Sequence, residues 1–191
     1  MTITSISAFK ELLYAYNEHT NIYSKTAYTH LDFHIENSIR ISNHLPTACS
    51  NIVDIGSGSG LPAIPLSLTT PTVTITAIES KSRKTRFLSH VKQTLSIENL
   101  HIKTSDINEH LRAAPTPDCF TAKAFAPLHK ILKILIPTLK RDTWLIIPIS
   151  PIQARELTIP QLQEIDSYTI ITDDRHTYLK LRLVCRKLLR R

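Results

Sequence analysis

The sequence predicts an α/β fold: a mostly parallel sheet with helices on both faces, a reversed last strand and a helical N-terminal extension. Three observations carry this. From residue 51 onward, short β-branched runs alternate with segments of helical period. The last two runs are separated only by a turn, which makes them antiparallel neighbours. All three glycines of the 191-residue chain, Gly56, Gly58 and Gly60, fall in one loop directly after the first run, NIVDIGSGSGLPAIP (51–65). A chain of this length would carry roughly 13 glycines at average usage, so the cluster marks a place that needs bare backbone.

Residues 5–19 set Ile6, Phe9, Leu12, Leu13 and Tyr16 at helical spacing. Residues 27–45 read as a second helix with Leu31, Ile35, Ser38, Ile39 and Ser42 on one side, stopped by Pro46. NIVDIG is a short apolar strand. A helix follows over 60–68, where Pro62 and Pro65 are tolerated in the first turn. TVTITAIE (72–79) is rich in β-branched residues and reads as a buried strand. SKSRKTRFLSHVKQTL is an amphipathic helix with Phe87, Leu88, Val91 and Leu95 inward. LHIKTSDI, DCFTAKAF and TWLIIPIS are further strands, and PLHKILKILIPTL is the helix before the last of them. SYTIITD and HTYLKLRLVCR, joined at Asp173–Asp174, form the terminal hairpin.

With 42% hydrophobic and 20% charged residues, the composition is that of an ordinary soluble domain. No apolar run is long enough for a membrane span, and the N-terminus does not read as a signal peptide. Cys49, Cys119 and Cys185 are odd in number and far apart, without metal-ligand spacing to histidine. They read as reduced thiols in a cytoplasmic protein, and no metal is expected. The net charge of +7 favours an anionic partner, nucleic acid above all. Two clusters carry much of it. One is Lys81, Arg83, Lys84 and Arg86; the other is the tail KLRLVCRKLLRR (180–191), which includes Arg186 and Lys187. A solvated positive face is the bland alternative.

A glycine loop between a strand and a helix lets a ligand lie against backbone and helix N–H groups. Glu79 ends the next strand about 20 residues on, where a carboxylate accepts hydrogen bonds from ribose hydroxyls. Loop and acid together argue for a nucleoside-containing cofactor. The nicotinamide fingerprint GxGxxG needs glycine at 61, and Leu61 stands there. Asp54-Ile-Gly56-Ser-Gly58-Ser-Gly60 instead resembles the DxGxGxG motif of S-adenosylmethionine-dependent methyltransferases. That similarity implies a class I, Rossmann-like methyltransferase with a seven-stranded sheet.

The resemblance extends further. GSGSGLPAIPLSL resembles the GxGxGxPGIPLAI signature of the RsmG (GidB) family. ESKSRKTRFLSHVKQTLSIENL, DCFTAKAFAPL and DDRHTYLKLR are similar to its later blocks, and NIYS and HIENSI to its upstream ones. Together they cover residues 20 to 182 in collinear order. The family methylates N7 of a guanine in bacterial small-subunit ribosomal RNA. The resemblance therefore implies an S-adenosylmethionine-dependent enzyme whose partner is 16S rRNA or the small ribosomal subunit. The expected division is an extension over 1–46, a methyltransferase domain over 47–187 and a basic tail over 188–191, acting as a monomer.

By position, the cofactor would meet Gly56 and Leu61, Ile107 and Asn108 at the adenine, Glu79 at the ribose, and Lys123 on the fourth strand. Asp54, Gly58 and Gly60 complete the loop. On the residues alone, Ile107 reads as core and Asn108 as a helix cap. His34, Arg175 and His176, with the basic clusters, are the candidate RNA contacts. The chain departs from the family pattern at several points. Lys123 replaces an arginine, Phe33 an arginine, Asn37 an aspartate, Pro148-Ile149 a Lys-Gly pair, and Ala63 a glycine.

Guanine N7 is a neutral lone pair, so no general base is expected and alignment of the reactants does the work. The absence of a [DN]PP[YFW] motif and of a Pro-Cys nucleophile agrees with this. Phe125, Glu79 and Asp54 are candidates for a wall facing the cationic product. Two alternatives stand beside this reading. One is a diverged, non-catalytic RNA-binding relative; the other is a small-molecule or protein methyltransferase on the same fold.

Overall fold

The computed structural model describes residues 2–186. Seven strands form one sheet: β1 (Asn51–Ile55), β2 (Thr74–Glu79), β3 (Leu100–Thr104), β4 (Cys119–Thr121), β5 (Thr143–Ile149), β6 (Ile165–Asp173) and β7 (His176–Leu183). Their order is β3-β2-β1-β4-β5-β7-β6. Pairings among β1 to β5 are parallel, and β7 runs antiparallel to both β5 and β6. This is the sheet the sequence predicts, with its reversed last strand. The order reverses between β1 and β4, so the crevice at their carboxyl ends is the natural ligand site.

Seven α-helices accompany the sheet: α1 (Thr2–Glu18), α2 (Leu31–Arg40), α3 (Ala63–Thr69), α4 (Ser82–Thr94), α5 (Ile107–Ala113), α6 (Leu128–Leu135) and α7 (Pro151–Glu156). Alternation along the strands divides the core into two. Ile52, Ile75, Ala77 and Leu100 pack with Phe9 and Leu13 of α1, Leu31 and Ile35 of α2, Ile64 of α3 and Phe87 of α4. Val53, Ile55, Ile78, Leu145 and Leu179 pack on the opposite face with Leu111 of α5 and Leu132 of α6. The N-terminal helices thus share a core with the sheet. Cys119, fully buried, is packing.

The structure corrects several expected elements. The helix expected over 27–45 is α2 flanked by two 3-10 turns, Lys25–His30 and Ile41–His44. α3 begins only at Ala63, because turns occupy 56–62. α7 was not expected, and α5 was signalled only by the reading of Asn108 as a helix cap. β4 stops at Thr121, so Lys123 lies beyond the strand on which it was placed. β7 ends at Leu183, and Lys187 with the tail over 188–191 lies outside the described residues.

Two anchors brace the sheet, one at the starts of its central strands and one beside the crevice. Asp118, just before β4, accepts from Ser50 and Asn51 N–H, the Ser50 hydroxyl and the Asn51 amide at 2.8–3.0 Å, and from Arg141 at 2.6 Å. One carboxylate so ties together the starts of β1, β4 and β5. At the other end, α2 is held to the β6–β7 turn. Arg40 pairs with Glu36 at 2.9 Å and Asp173 at 3.0 Å, Arg175 pairs with Glu36, and the Tyr178 hydroxyl donates to Asn37 O at 2.9 Å.

Burial alone would raise the Asp118 pKa, but the donors from Ser50, Arg141 and Asn51 outweigh it and hold it at about 2. A depressed carboxylate stabilises the fold above its unfolded pKa, and that contribution is lost as pH falls through the folded one. Asp118→Ala should cost about 2–3 kcal/mol at pH 7. Urea denaturation should show that cost shrinking between pH 4 and pH 2.

Candidate functional site

β1 ends at Ile55 and the chain leaves the sheet at once. Gly56 and Ser57 N–H both donate to Ile78 O, at 2.9 and 3.0 Å, and Gly60 N–H donates to Ser57 O at 2.7 Å. All three glycines have positive φ. A Cβ on Gly56 would lie 2.3 Å from a ring carbon of Phe125, and one on Gly60 2.3 Å from Ile64 Cδ1. Gly56 is therefore bare because an aromatic ring rests on it, and Gly60 because α3 packs there. Gly58 differs: a Cβ there would meet nothing closer than Gly56 O at 3.7 Å. Its contribution is its N–H, which donates to Glu79 Oε2 at 3.1 Å.

Glu79 closes β2 and is only 6% exposed. Its Oε1 accepts the Lys81 N–H at 2.8 Å, and Lys84 Nζ stands 3.9 Å from Oε2. A carboxylate has about four acceptor positions, so two backbone bonds leave room for ribose hydroxyls. Ser105 N–H donates to Glu79 O, which starts the loop to α5 beside this carboxylate. Asp106, not Asn108, caps α5, accepting the Asn108 N–H at 2.8 Å. Ile107 is buried in the core under that loop, as its apolar character suggested, and Asn108 is exposed next to it.

Beneath the glycine loop lies Asp54, 1% exposed. The Thr121 hydroxyl donates to its Oδ1 at 2.9 Å, while Oδ2 has no partner among the described residues. Burial pushes the Asp54 pKa up to about 6. A buried, unpartnered carboxylate oxygen, a second buried acid at the end of β2 and backbone freed of side chains form a donor and acceptor set that fits a cationic, nucleoside-bearing cofactor. No group of His, Cys, Asp or Glu suited to a metal ion exists among the described residues.

Beyond β4 the backbone opens a cavity of about 700 Å³. Its walls include His34 and Asn37 of α2, Lys123 and Phe125 after β4, Pro148 and Ile149 of β5, and Arg175. Phe125, 37% exposed, sits with its ring on Gly56 and so stands between the glycine loop and the cavity. Burial lowers the Lys123 pKa, and the Asp54 carboxylate opposes that shift.

The candidate RNA contacts divide. His34 lines the cavity with Arg175, whose guanidinium carbon stands 5.5 Å from the Phe33 ring centre. Lys84 is drawn to Glu79, on the side of the glycine loop, while Lys81, Arg83 and Arg86 are exposed around the start of α4. Arg186 is exposed and donates to Gln163 O. His176 is a correction: it is fully buried and stacked on Phe33 at 4.6 Å, so a phosphate cannot reach it without opening that stack. Its burial follows from Phe33, a residue that brings a flat apolar surface against the imidazole. Tyr23 and Thr121 were missed as site residues. A hydroxyl beside an apolar strand carries no local signal, whereas Asp106 with Glu109 did offer the spacing of a helix start.

Residues 2–157 match the family model described as rRNA small subunit methyltransferase G. A Ribosomal RNA small subunit methyltransferase G of Acholeplasma laidlawii is 33% identical over 157 residues, covering 79% of this chain and 66% of the relative. One of Chloroflexus aggregans is 31% identical over 118 residues, covering 60% of this chain and 50% of the relative. The chain thus spans half to two-thirds of the length of these relatives. Among solved structures, M. jannaschii TYW2 in complex with AdoMet superposes with a TM-score of 0.62 at 16% identity, covering 87% of this chain and 80% of that one. A SAM-dependent O-methyltransferase of Thermotoga maritima does so with a TM-score of 0.61 at 18% identity, covering 79% and 66%. At such identities these neighbours establish the fold, a class I methyltransferase sheet.

The Asp54 pKa gives a test of the buried loop. A carboxyl whose folded pKa is raised holds its proton longer when folded, so stability falls as pH rises from its unfolded to its folded value. Between pH 4 and pH 6 the wild type should lose about 2–3 kcal/mol relative to Asp54→Asn. Urea denaturation of both proteins across that range checks it; parallel profiles would refute it.

Proposed function

The chain belongs to the rRNA small subunit methyltransferase G family, and from that premise we infer that it transfers a methyl group from S-adenosylmethionine to N7 of a guanine in 16S rRNA. One observation carries the reading beyond family membership. The glycine loop, with Glu79 at its side and Asp54 beneath it, is divided from a cavity of about 700 Å³ by a single aromatic ring. A cofactor bed and a chamber for a second reactant thus meet at one point.

Gly56 and Gly58 would offer backbone, Glu79 the ribose contacts, and Ile107 and Asn108 a face and an amide for the adenine. Leu61 and Lys123 complete the bed. When bound, the sulfonium supplies an electrophilic methyl group. The work of the chain is then to bring N7 into line and exclude water. Effective molarity can contribute several kcal/mol to such a step. N7 carries no proton, so no side chain has to remove one.

Methylation leaves a positive charge on the purine. Phe125 is the candidate wall that borders the cavity, whereas Asp54 and Glu79 lie buried on the loop side. An aromatic face stabilises a cation by about 0.5–2 kcal/mol. Lys123 serves either the carboxylate of the cofactor or a phosphate of the RNA, and Arg175 and the exposed cations of α4 extend the basic rim. A base inside a duplex would have to be extruded to enter the cavity.

S-adenosylmethionine should raise the melting temperature and NAD should not; at a hundredfold excess over Kd the stabilisation is about 2.7 kcal/mol. Glu79→Ala should weaken cofactor binding about 10- to 100-fold by calorimetry, the worth of a charge-assisted hydrogen bond. Lys123→Ala should weaken cofactor binding, transfer to RNA, or both. Small subunits from a strain lacking the modification, with the methylated base mapped, test the reaction. Cofactor binding without transfer would favour the non-catalytic alternative.

A further inference from the structure

The α2 wall of the cavity carries two polar groups that methyl transfer itself does not use. Tyr23 Oη lies 2.7 Å from His34 Nδ1 and donates to Ala27 O at 3.2 Å. A phenol has one proton to give. Both contacts are satisfied only when that proton goes to Ala27 and His34 donates its own from Nδ1. Tyr23 keeps its proton, because burial beside Tyr14 and Tyr28 pushes its pKa up to about 12. The imidazole stays neutral, because burial, with Lys123 and His30 close by, pushes its pKa down to about 4.

A neutral imidazole with its proton on Nδ1 presents a bare lone pair at Nε2. That atom is neither hydrogen-bonded nor buried among the described residues. One turn along α2, Asn37 lines the same cavity; it is 4% exposed, and its side-chain oxygen Oδ1 has no donor among the described residues. Two unpaired acceptors therefore occur on one helix at one cavity wall. Left unpaired, the buried Asn37 oxygen is costly, and together with His34 Nε2 it selects for a ligand with two adjacent donors.

Guanine has such an edge, in its N1–H and 2-amino group, whereas adenine offers a donor beside an acceptor. Resting on the guanine-N7 reading above, we propose that His34 Nε2 and the Asn37 carbonyl receive the N1–H and 2-amino group of the target guanine. Tyr23 is the positioning residue that keeps His34 an acceptor. N7 lies on the opposite side of the base, so a grip on this edge turns N7 away from α2.

Small subunits reconstituted with rRNA carrying either guanine or inosine at the mapped position test this, since inosine lacks only the 2-amino group. The wild type should prefer guanine by about 5- to 100-fold in kcat/KM, the worth of one buried unpaired acceptor. Whichever of His34→Ala and Asn37→Ala removes the acceptor of the 2-amino group should bring that ratio close to one, while the other should slow both substrates alike, and calorimetry should still show cofactor binding. Nitrogen-15 spectra should show the His34 proton on Nδ1 in the wild type and its partial transfer to Nε2 in Tyr23→Phe. The wild-type spectrum needs no variant that could fail to fold. An unchanged ratio in both alanine variants, no guanine preference in the wild type, or a wild-type proton on Nε2 would overturn the inference alone. A wild type that methylates neither RNA would overturn the guanine reading, and this inference with it.

Discussion

The Glu79 carboxylate accepts one N–H from each of the two loops that meet at the carboxyl edge of the sheet, Gly58 at 3.1 Å and Lys81 at 2.8 Å. A buried carboxylate stripped of its donors costs several kcal/mol, so both loops are held where those N–H groups can reach it. The glycine loop is fixed at its middle and α4 at its first turn. Lys84 is brought to the same carboxylate by its place in that turn. Even the start of α5 follows, because Ser105 donates to the Glu79 carbonyl. A residue that would serve a ligand thus also sets the shape of the bed in which the ligand lies.

The opposite wall has its own logic. α2 reaches the cavity because Arg40, Glu36 and Asp173 join it to the terminal hairpin. The Arg175 hydrogen bond, the strongest influence on Glu36, keeps that carboxylate ionised with a pKa of about 2. The Phe33 ring meets both the Arg175 guanidinium and the His176 ring, 5.5 and 4.6 Å from its centre. Phe33 is thus an apolar plate against the hairpin, and His176 lies fully buried on it.

How legible all this is in the sequence depends on the reach of each interaction. The strands, the reversed hairpin, the glycine loop and Glu79 are written in local pattern: β-branched runs, clustered glycines, and an acid one strand away. α5 and α7 are too short, at seven and six residues, to show a period. Lys123 reads as a strand residue because alternation continues past Thr121, although the β4 pairings stop there. Basic residues are visible as charge, but whether each faces solvent or a carboxylate is decided by the fold, as Lys84 and Arg175 illustrate. The Tyr23–His34 contact crosses a 3-10 turn between residues eleven apart, and no periodicity encodes a shared proton.

Phe125 rests on Gly56, where any side chain would collide with its ring. The ring also borders the cavity, so it is a wall that faces both ways. Anything that shifts it from the loop side alters the room on the cavity side. Linkage then demands that the effect be mutual: an occupant of the cavity changes affinity at the loop by the same factor. The glycine loop and the cavity are neighbours through one ring.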